Sequence, residues 1–303
     1  MDLTLAGQGE SPAVARRRVR LALRRARDAK GLSQGAVAAS VGWSLSKVQR
    51  IESGDNAISG TDLRALLNLY GITDDEEVEQ LLEEARISRR QRWWATPEFR
   101  EHLTPGTMQL LQFEAEAVAI RSYQSVVVPG PFQIPAYARL LLGWFNKSLT
   151  EEQRRVRFDV RMQRRERLLE SPDSPQYYLI LDESVLKREV GGLEVMAQQL
   201  EFLAELAGRP GIHVRIVPLN KGAMLGTVGQ FTVLDLAEDE DDAVLYRESF
   251  AADFISHDRR EIAVHREMFE FFWLQSLNDE KTIRAISAEA ASLRARIDRE
   301  SPD

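Results

Sequence analysis

Residues 13–29, AVARRRVRLALRRARDA, space Val14, Val19, Leu21, Leu23 and Ala26 among arginines, the period of an amphipathic helix that ends before Gly31. Ser33 suits the cap of a short helix, QGAVAAS, in which Ala36, Val37 and Ala39 are small enough for close packing, and Gly42 breaks it. Ser44 caps the next helix, from Leu45 to about Ser53, which stops at Gly54. Thr61 is the expected cap of DLRALLNLY, which turns Leu63, Leu66, Leu67 and Tyr70 inward and ends at Gly71. Thr73 and the four acids after it open a fifth helix with the stripe Val78, Leu81, Leu82 and Ala85. Arg86, Arg89, Arg90 and Arg92 gather near its carboxyl end, where the helix dipole favours cations.

Beyond the break TPEFREHLTPG the pattern changes. A helix from Leu110, a valine-rich segment ended by Pro129-Gly130, a helix from about Pro135 and an arginine-dense helix over 151–170 come first. Tyr177–Leu181 reads as a strand, and Ile212, Val214 and Ile216 alternate with His213 and Arg215 as in a half-buried one. Between these two strands lies an amphipathic helix with Met196, Leu200, Leu203 and Ala207 on one stripe. QFTVLDL and AVLYRE are further strands around the acidic loop AEDEDD, and EKTIRAISAEAASLRARI is a closing charged helix. The predicted fold class is multidomain: an all-α helix-turn-helix head and an α/β or α+β domain around about four strands with a terminal helix. The expected boundaries are a disordered tail at 1–12, the head at 13–72, a helical connector at 73–109 placed at a dimer seam, a sensor or partner-binding domain at 110–275, and the last helix at 276–303.

Charge sharpens the division. The 303 residues carry a net charge of −7, but residues 11–72 hold 11 basic and 4 acidic side chains, a balance of +7. Residues 73–303 hold 29 basic and 41 acidic ones, a balance of −12, so a polyanion is expected to meet the first part and not the second. The absence of cysteine excludes disulfides, thiolate metal sites and cysteine nucleophiles. No signal-peptide core and no apolar run of spanning length is present, so a cytoplasmic protein without a membrane partner is expected.

Two short helices joined by a glycine-containing turn inside a small bundle form the helix-turn-helix pattern. Val48 and Ile51 fix the second helix to the bundle, and Leu45, Ser46, Gln49 and Arg50 fall on the opposite side. Arginine can donate twice to guanine, glutamine can read adenine, and Leu45 can touch a thymine methyl. Lys47 and Gln34, near helix amino termini, suit phosphate oxygens, and Ser44 adds its cap at the same end. Glu52 reads as structural, in a helix-end or intrabundle ion pair.

LSQGAVAASVGWSLSKVQRIESG resembles the XRE family of regulators, related to the phage lambda and 434 repressors, through Leu32-Ser33-Gln34, Ala38, Val41-Gly42, Ser44, Val48, Arg50, Ile51-Glu52 and Gly54. The resemblance implies a backbone phosphate clamp at Gln34 and bases facing Leu45, Ser46, Gln49 and Arg50. The remainder resembles the carboxy-terminal domain of actinobacterial, antitoxin-like regulators of the WhiJ kind. That likeness rests on Glu114-x-Glu116-Ala117, Ile120-Arg121-x-Tyr123, Val128-Pro129-Gly130, Gln133, Tyr137-Ala138, Leu181-Asp182-Glu183, Val190-Gly191-Gly192, Gln199-Leu200 and Gly229-x-Phe231. The chain departs from it at Pro131-Phe132-Gln133-Ile134, where the family reads Leu-Leu-Gln-Thr. The resemblance implies a dimeric transcriptional regulator of double-stranded DNA, with a small-molecule effector or a small protein partner. An antitoxin-type protein that mainly sequesters its partner is the alternative.

No nucleophile elbow or phosphate loop is present, KGAMLGTVG (221–229) lacking the lysine–hydroxyl ending, so no enzyme and no cofactor are expected. His257, Glu261 and His265 share one helix face, but a Glu261–His265 surface pair is the expected reading rather than a metal site. Asp182-Glu183 reads as the cap of the turn after a strand. Arg154, Arg157, Arg161, Arg164 and Arg165 make a ridge at spacings of three and four. Arg157, Arg161 and Arg164 are its candidates for an acidic partner, a phosphorylated ligand or DNA backbone. The competing reading has the protein's own acids, Glu238–Asp242 among them, neutralise the ridge.

Overall fold

The computed structural model describes residues 12–54, 57–89, 93–145, 149–171, 174–221, 229–236, 242–248 and 253–300. The expected tail at 1–12 therefore lies outside the described residues except for Pro12. The chain forms two compact units, residues 1–96 and 97–303.

The first unit holds α1 (Pro12–Ala29), α2 (Gln34–Val41), α3 (Leu45–Glu52), α4 (Gly60–Tyr70) and α5 (Asp75–Ser88). Val19 and Leu23 of α1, Val37 and Ala38 of α2, Val48 and Ile51 of α3, and Leu63, Leu66, Leu67 and Tyr70 of α4 close one core. Leu81 and Ala85 of α5 belong to that same core. The expected connector at 73–109 is thus divided: α5 packs on α1 and α4, its stripe is taken up inside the head, and residues from Pro97 onward belong to the second unit. Two caps move as well. Ser59, not Thr61, begins α4, its backbone extended and its Oγ accepting the Asp62 N–H at 3.0 Å. Asp74, not Thr73, begins α5 by accepting from the Glu77 N–H.

The second unit runs α6 (Pro97–Arg100), α7 (Pro105–Glu116), β1 (Ala119–Gln124), α8 (Pro135–Phe145), α9 (Glu151–Arg165), β2 (Gln176–Asp182), α10 (Ser184–Lys187), α11 (Gly192–Leu206) and β3 (Ile212–Val217). It continues with β4 (Phe231–Asp235), β5 (Ala243–Glu248), β6 (Asp253–Ser256), α12 (Arg259–Gln275) and α13 (Asp279–Glu300). The sheet has six strands in the order β3-β2-β1-β4-β5-β6, so the expected four become six through β1 and β6. β1, β2 and β3 are parallel, and β4, β5 and β6 continue antiparallel from β1. The two parallel crossovers step in one direction, and right-handed connections then place their helices on one face. Leu141 of α8, Leu200 and Leu203 of α11, and Ile286, Ala290 and Leu293 of α13 build that face's core. The closing helix expected at 276–303 is therefore packed into this body as α13 rather than set apart from it. On the other face Ile262, Phe269 and Phe272 of α12 cover Tyr123, Ile180, Phe231, Val233 and Leu245.

Candidate nucleic-acid interface

The Ser33 Oγ accepts the Ala36 N–H at 3.1 Å and starts α2, which Gly42 ends in the left-handed region at φ 70°. A side chain at Gly42 would be strained there, and the turn of the motif depends on this conformation. Ser44 then accepts the Lys47 N–H at 3.2 Å and starts α3. Val48 and Ile51 are buried, so α3 is held by one side only. Ser44, Leu45, Ser46, Gln49 and Arg50 are exposed on the other, Leu45 by 46%. The Arg50 Nε donates to the Ser46 carbonyl at 3.2 Å, which lays the guanidinium along the helix surface.

Two expected phosphate contacts are engaged within the protein. The Gln34 Nε2 donates to Glu52 Oε2 at 2.8 Å, so the amide expected on phosphate braces the head instead. Glu52 also accepts from Arg27 Nε at 2.7 Å and Nη2 at 3.1 Å, and Arg27 Nη1 reaches the Leu32 carbonyl at 2.8 Å. The hydrogen bond to Glu52 raises the Arg27 guanidinium above its ordinary value, and burial pushes the neighbouring Tyr70 up to about 12. Glu52 is thus in the intrabundle ion pair that its position suggested. Lys47 turns aside: its Nζ lies 3.0 Å from Asp62 Oδ2 and 3.8 Å from the centre of the Trp43 ring. Trp43 and Asp62 were not legible as its partners, although an aromatic just before the cap is a signal for such stacking.

The arginines of α1 divide likewise. Arg16 and Arg20 are buried, Arg16 donating to the Ser88 carbonyl, and Arg18 lies 3.5 Å from Glu84. Part of the head's positive balance therefore holds α1 to α5, and Arg18 and Arg25 are its exposed members on α1.

The arginine ridge of α9 also faces the protein. Arg164 grips Glu114 with both arms, at 2.8 and 2.5 Å, and Arg161 Nη1 donates to Gln133 Oε1 at 2.9 Å. Arg157 Nε reaches the His102 carbonyl at 3.5 Å. Burial holds Arg161 down to about 10, helped by the charge of Arg164. Burial acts on Arg164 in the same sense but is outweighed by Glu114, which raises it. Gly130 permits this packing, since a Cβ there would meet Arg164 Nη1 at 3.3 Å and Arg161 Nε at 3.4 Å. Glu114 neutralises Arg164, while Glu151 lies 3.4 Å from Arg154 and Glu170 3.4 Å from Arg165; residues 238–241 lie outside the described ones, as do 222–228 of the glycine-rich segment.

Glu261 pairs with Arg247 at 2.5 Å, while His265 Nδ1 contacts the Glu261 carbonyl, so no Glu261–His265 carboxylate pair forms. Among the described residues no group of three or more His, Asp or Glu side chains is arranged to hold a metal. Asp182 and Glu183 accept from the Ser184 and Leu219 N–H groups, as turn-capping carboxylates do. Trp94 is buried and meets Trp93 edge to face.

A short capped helix held by two buried aliphatics and presenting a polar face, preceded by a helix and a left-handed glycine turn, defines a helix-turn-helix DNA-binding protein. The family described as a helix-turn-helix domain matches residues 19–81. Residues 107–288 match the family described as a domain of unknown function, DUF5753, and the chain belongs to that family. No curated protein and no solved structure matches the chain. Among the described residues no helix is long and apolar enough to cross a membrane.

Proposed function

We propose that this protein is a sequence-specific transcriptional regulator that reads the DNA major groove with α3, acts as a homodimer, and is controlled through its DUF5753 domain by a small molecule or small protein. The observation that carries the reading is the division of α3: Val48 and Ile51 are buried, while Leu45, Ser46, Gln49 and Arg50 are exposed. These four side chains can read base edges, and the exposed amino end of α3 suits a phosphate. XRE-type, WhiJ-like character is supported by the motif around α2 and α3 and by the run of matching positions in the second unit.

Selection of bound duplexes from random fragments at fixed salt, repeated with Arg50→Ala, tests it. Arg50→Ala is expected to cost roughly 1–3 kcal/mol and to relax preference at one base pair. Dimeric recognition appears as paired half-sites about 34 Å apart. If Arg50→Ala alters neither affinity nor preference, α3 is not the reading helix.

A further inference from the structure

The rim of α3 carries a basic side chain that is already engaged. At 100° per residue Lys47 lies about 60° round the helix from Arg50, between the exposed face and the side that Val48 and Ile51 bury. It is the third residue of α3, at the amino end, where phosphate oxygens are favoured. Its Nζ nevertheless lies 3.0 Å from Asp62 Oδ2 and 3.8 Å from the centre of the Trp43 ring. Trp43 is half-buried against the core of the head. Asp62 stands in the first turn of α4, where the helix dipole favours an acid, and its own N–H donates to the Ser59 Oγ. Both partners are thus placed by the fold, and the flexible member of the clasp is the lysine stem.

A partly exposed ion pair alone is weak and open to displacement by a phosphate oxygen. Here the ring adds a cation–π contact to the pair, and the carboxylate repels an approaching phosphate, so the exchange is opposed twice. We propose that Asp62 is a positioning residue that restrains DNA binding: with Trp43 it withholds Lys47 from the phosphate backbone. The rim of α3 then adds no net charge to the docking surface, and the sequence-independent part of the binding is one phosphate contact weaker than the basic residues of the helix would give. The assignment rests on α3 as the reading helix and adds a residue of α4 that limits how strongly it holds any duplex.

Fluorescence anisotropy of the full-length chain on a pool of random duplexes of about 20 base pairs, titrated across a salt series, tests it, with circular dichroism confirming that each variant is folded. Asp62→Asn keeps the shape of the side chain and removes its charge. It is expected to bind roughly three- to eightfold tighter at about 0.1 M salt and to steepen the slope of log K against log salt by about 0.9, the signature of one added phosphate contact. Asp62→Ser should do the same, and guards against an amide that still accepts from Lys47. Lys47→Met should lower affinity by uncovering Asp62 while leaving the slope at its wild-type value. Asp62→Asn in the Lys47→Met background should not steepen it.

A slope unchanged in both Asp62 variants, or one that steepens equally without Lys47, overturns the assignment. So does a Lys47→Met slope below that of the wild type, since Lys47 would then already be on phosphate. Arg50→Ala is titrated in parallel on the duplexes recovered by selection. If it changes neither affinity nor preference while Asp62→Asn steepens the slope, α3 fails as the reader and the restraint stands; the reverse pattern removes the restraint alone. A wild type that binds no duplex in dilute buffer removes both.

Discussion

Glu52 shows how much a single side chain decides in the head. It is buried, it accepts from Arg27 and Gln34, and Arg27 itself is only 12% exposed. Glu52→Ala would leave a largely buried guanidinium without its carboxylate, a loss of roughly 3–5 kcal/mol. Urea denaturation of the full chain, followed by amide exchange in α1 to α4, checks it. A loss under about 1 kcal/mol would mean that water replaces the carboxylate easily. The role of Glu52 was legible because an acid at a helix end among apolar positions needs a cation inside the bundle. The role of Gln34 was not, because an amide at a helix start serves phosphate or carboxylate equally well, and only the placement of Glu52 decides between them.

Each helix of the motif begins in the same way, with a hydroxyl in extended conformation accepting an N–H three residues on, at Ser33, Ser44 and Ser59. Ser44→Ala is expected to cost about 1 kcal/mol of stability. It should cost more than that in DNA affinity, because the frayed turn carries Leu45 and Ser46. Thermal melts and operator titration of the same variant compare the two losses, and equal losses would show that the first turn of α3 does not touch DNA. Serine caps made these helices readable. The misplaced start of α4 came from choosing between two hydroxyls, and Ser59-x-x-Asp62 is the pair with the better spacing. β1 was hidden for another reason. AIRSYQ has little of a strand's apolar alternation, and its polar side chains are satisfied from far along the chain. Ser122 bonds Thr232 at 2.9 Å, and Arg121 pairs with Asp235. A strand whose polar groups are completed by residues 110 positions away carries no local mark of being central.

At the scale of the whole molecule the tyrosines set the alkaline limit. Burial raises Tyr70, Tyr123 and Tyr137 to about 12, and Tyr177 and Tyr246 further still. An unfolded chain releases these protons near pH 10, roughly the free phenol value. Above that pH the folded state keeps protons that the unfolded state has lost, so stability falls as pH rises from about 10 to about 12. Arg161, held down to about 10, works in the opposite sense over this range, as do Arg157 and Arg167, which burial also lowers, but these are three groups against five. Urea midpoints should therefore fall steeply in this window, with the phenolate absorbance of these five tyrosines appearing only as the protein unfolds. Phenolate formation at these five in the folded protein near pH 10 would contradict their burial. The two-part organisation was legible in the switch from helical spacing to alternation and in the opposed charge balances. The way α5 joins the head and α13 the body was not, because an amphipathic stripe says that a helix must be covered and not by which neighbour.

The clasp at the start of α7 has a consequence for biosynthesis. Asp253 accepts from the Thr104 hydroxyl at 3.3 Å and from the Tyr246 hydroxyl at 2.9 Å, and the lack of a side chain at Gly106 leaves room for its carboxylate. Thr104 and Asp253 are 149 residues apart, and β1 likewise waits for β4. On the ribosome the helices of the head have all their partners once residue 88 has emerged, while the body must keep its central strand half-paired until β4 has been made. Translation thus delivers a finished helical head tethered to a late-closing sheet, and termination between residue 88 and β6 leaves a folded head beside an uncompleted sheet.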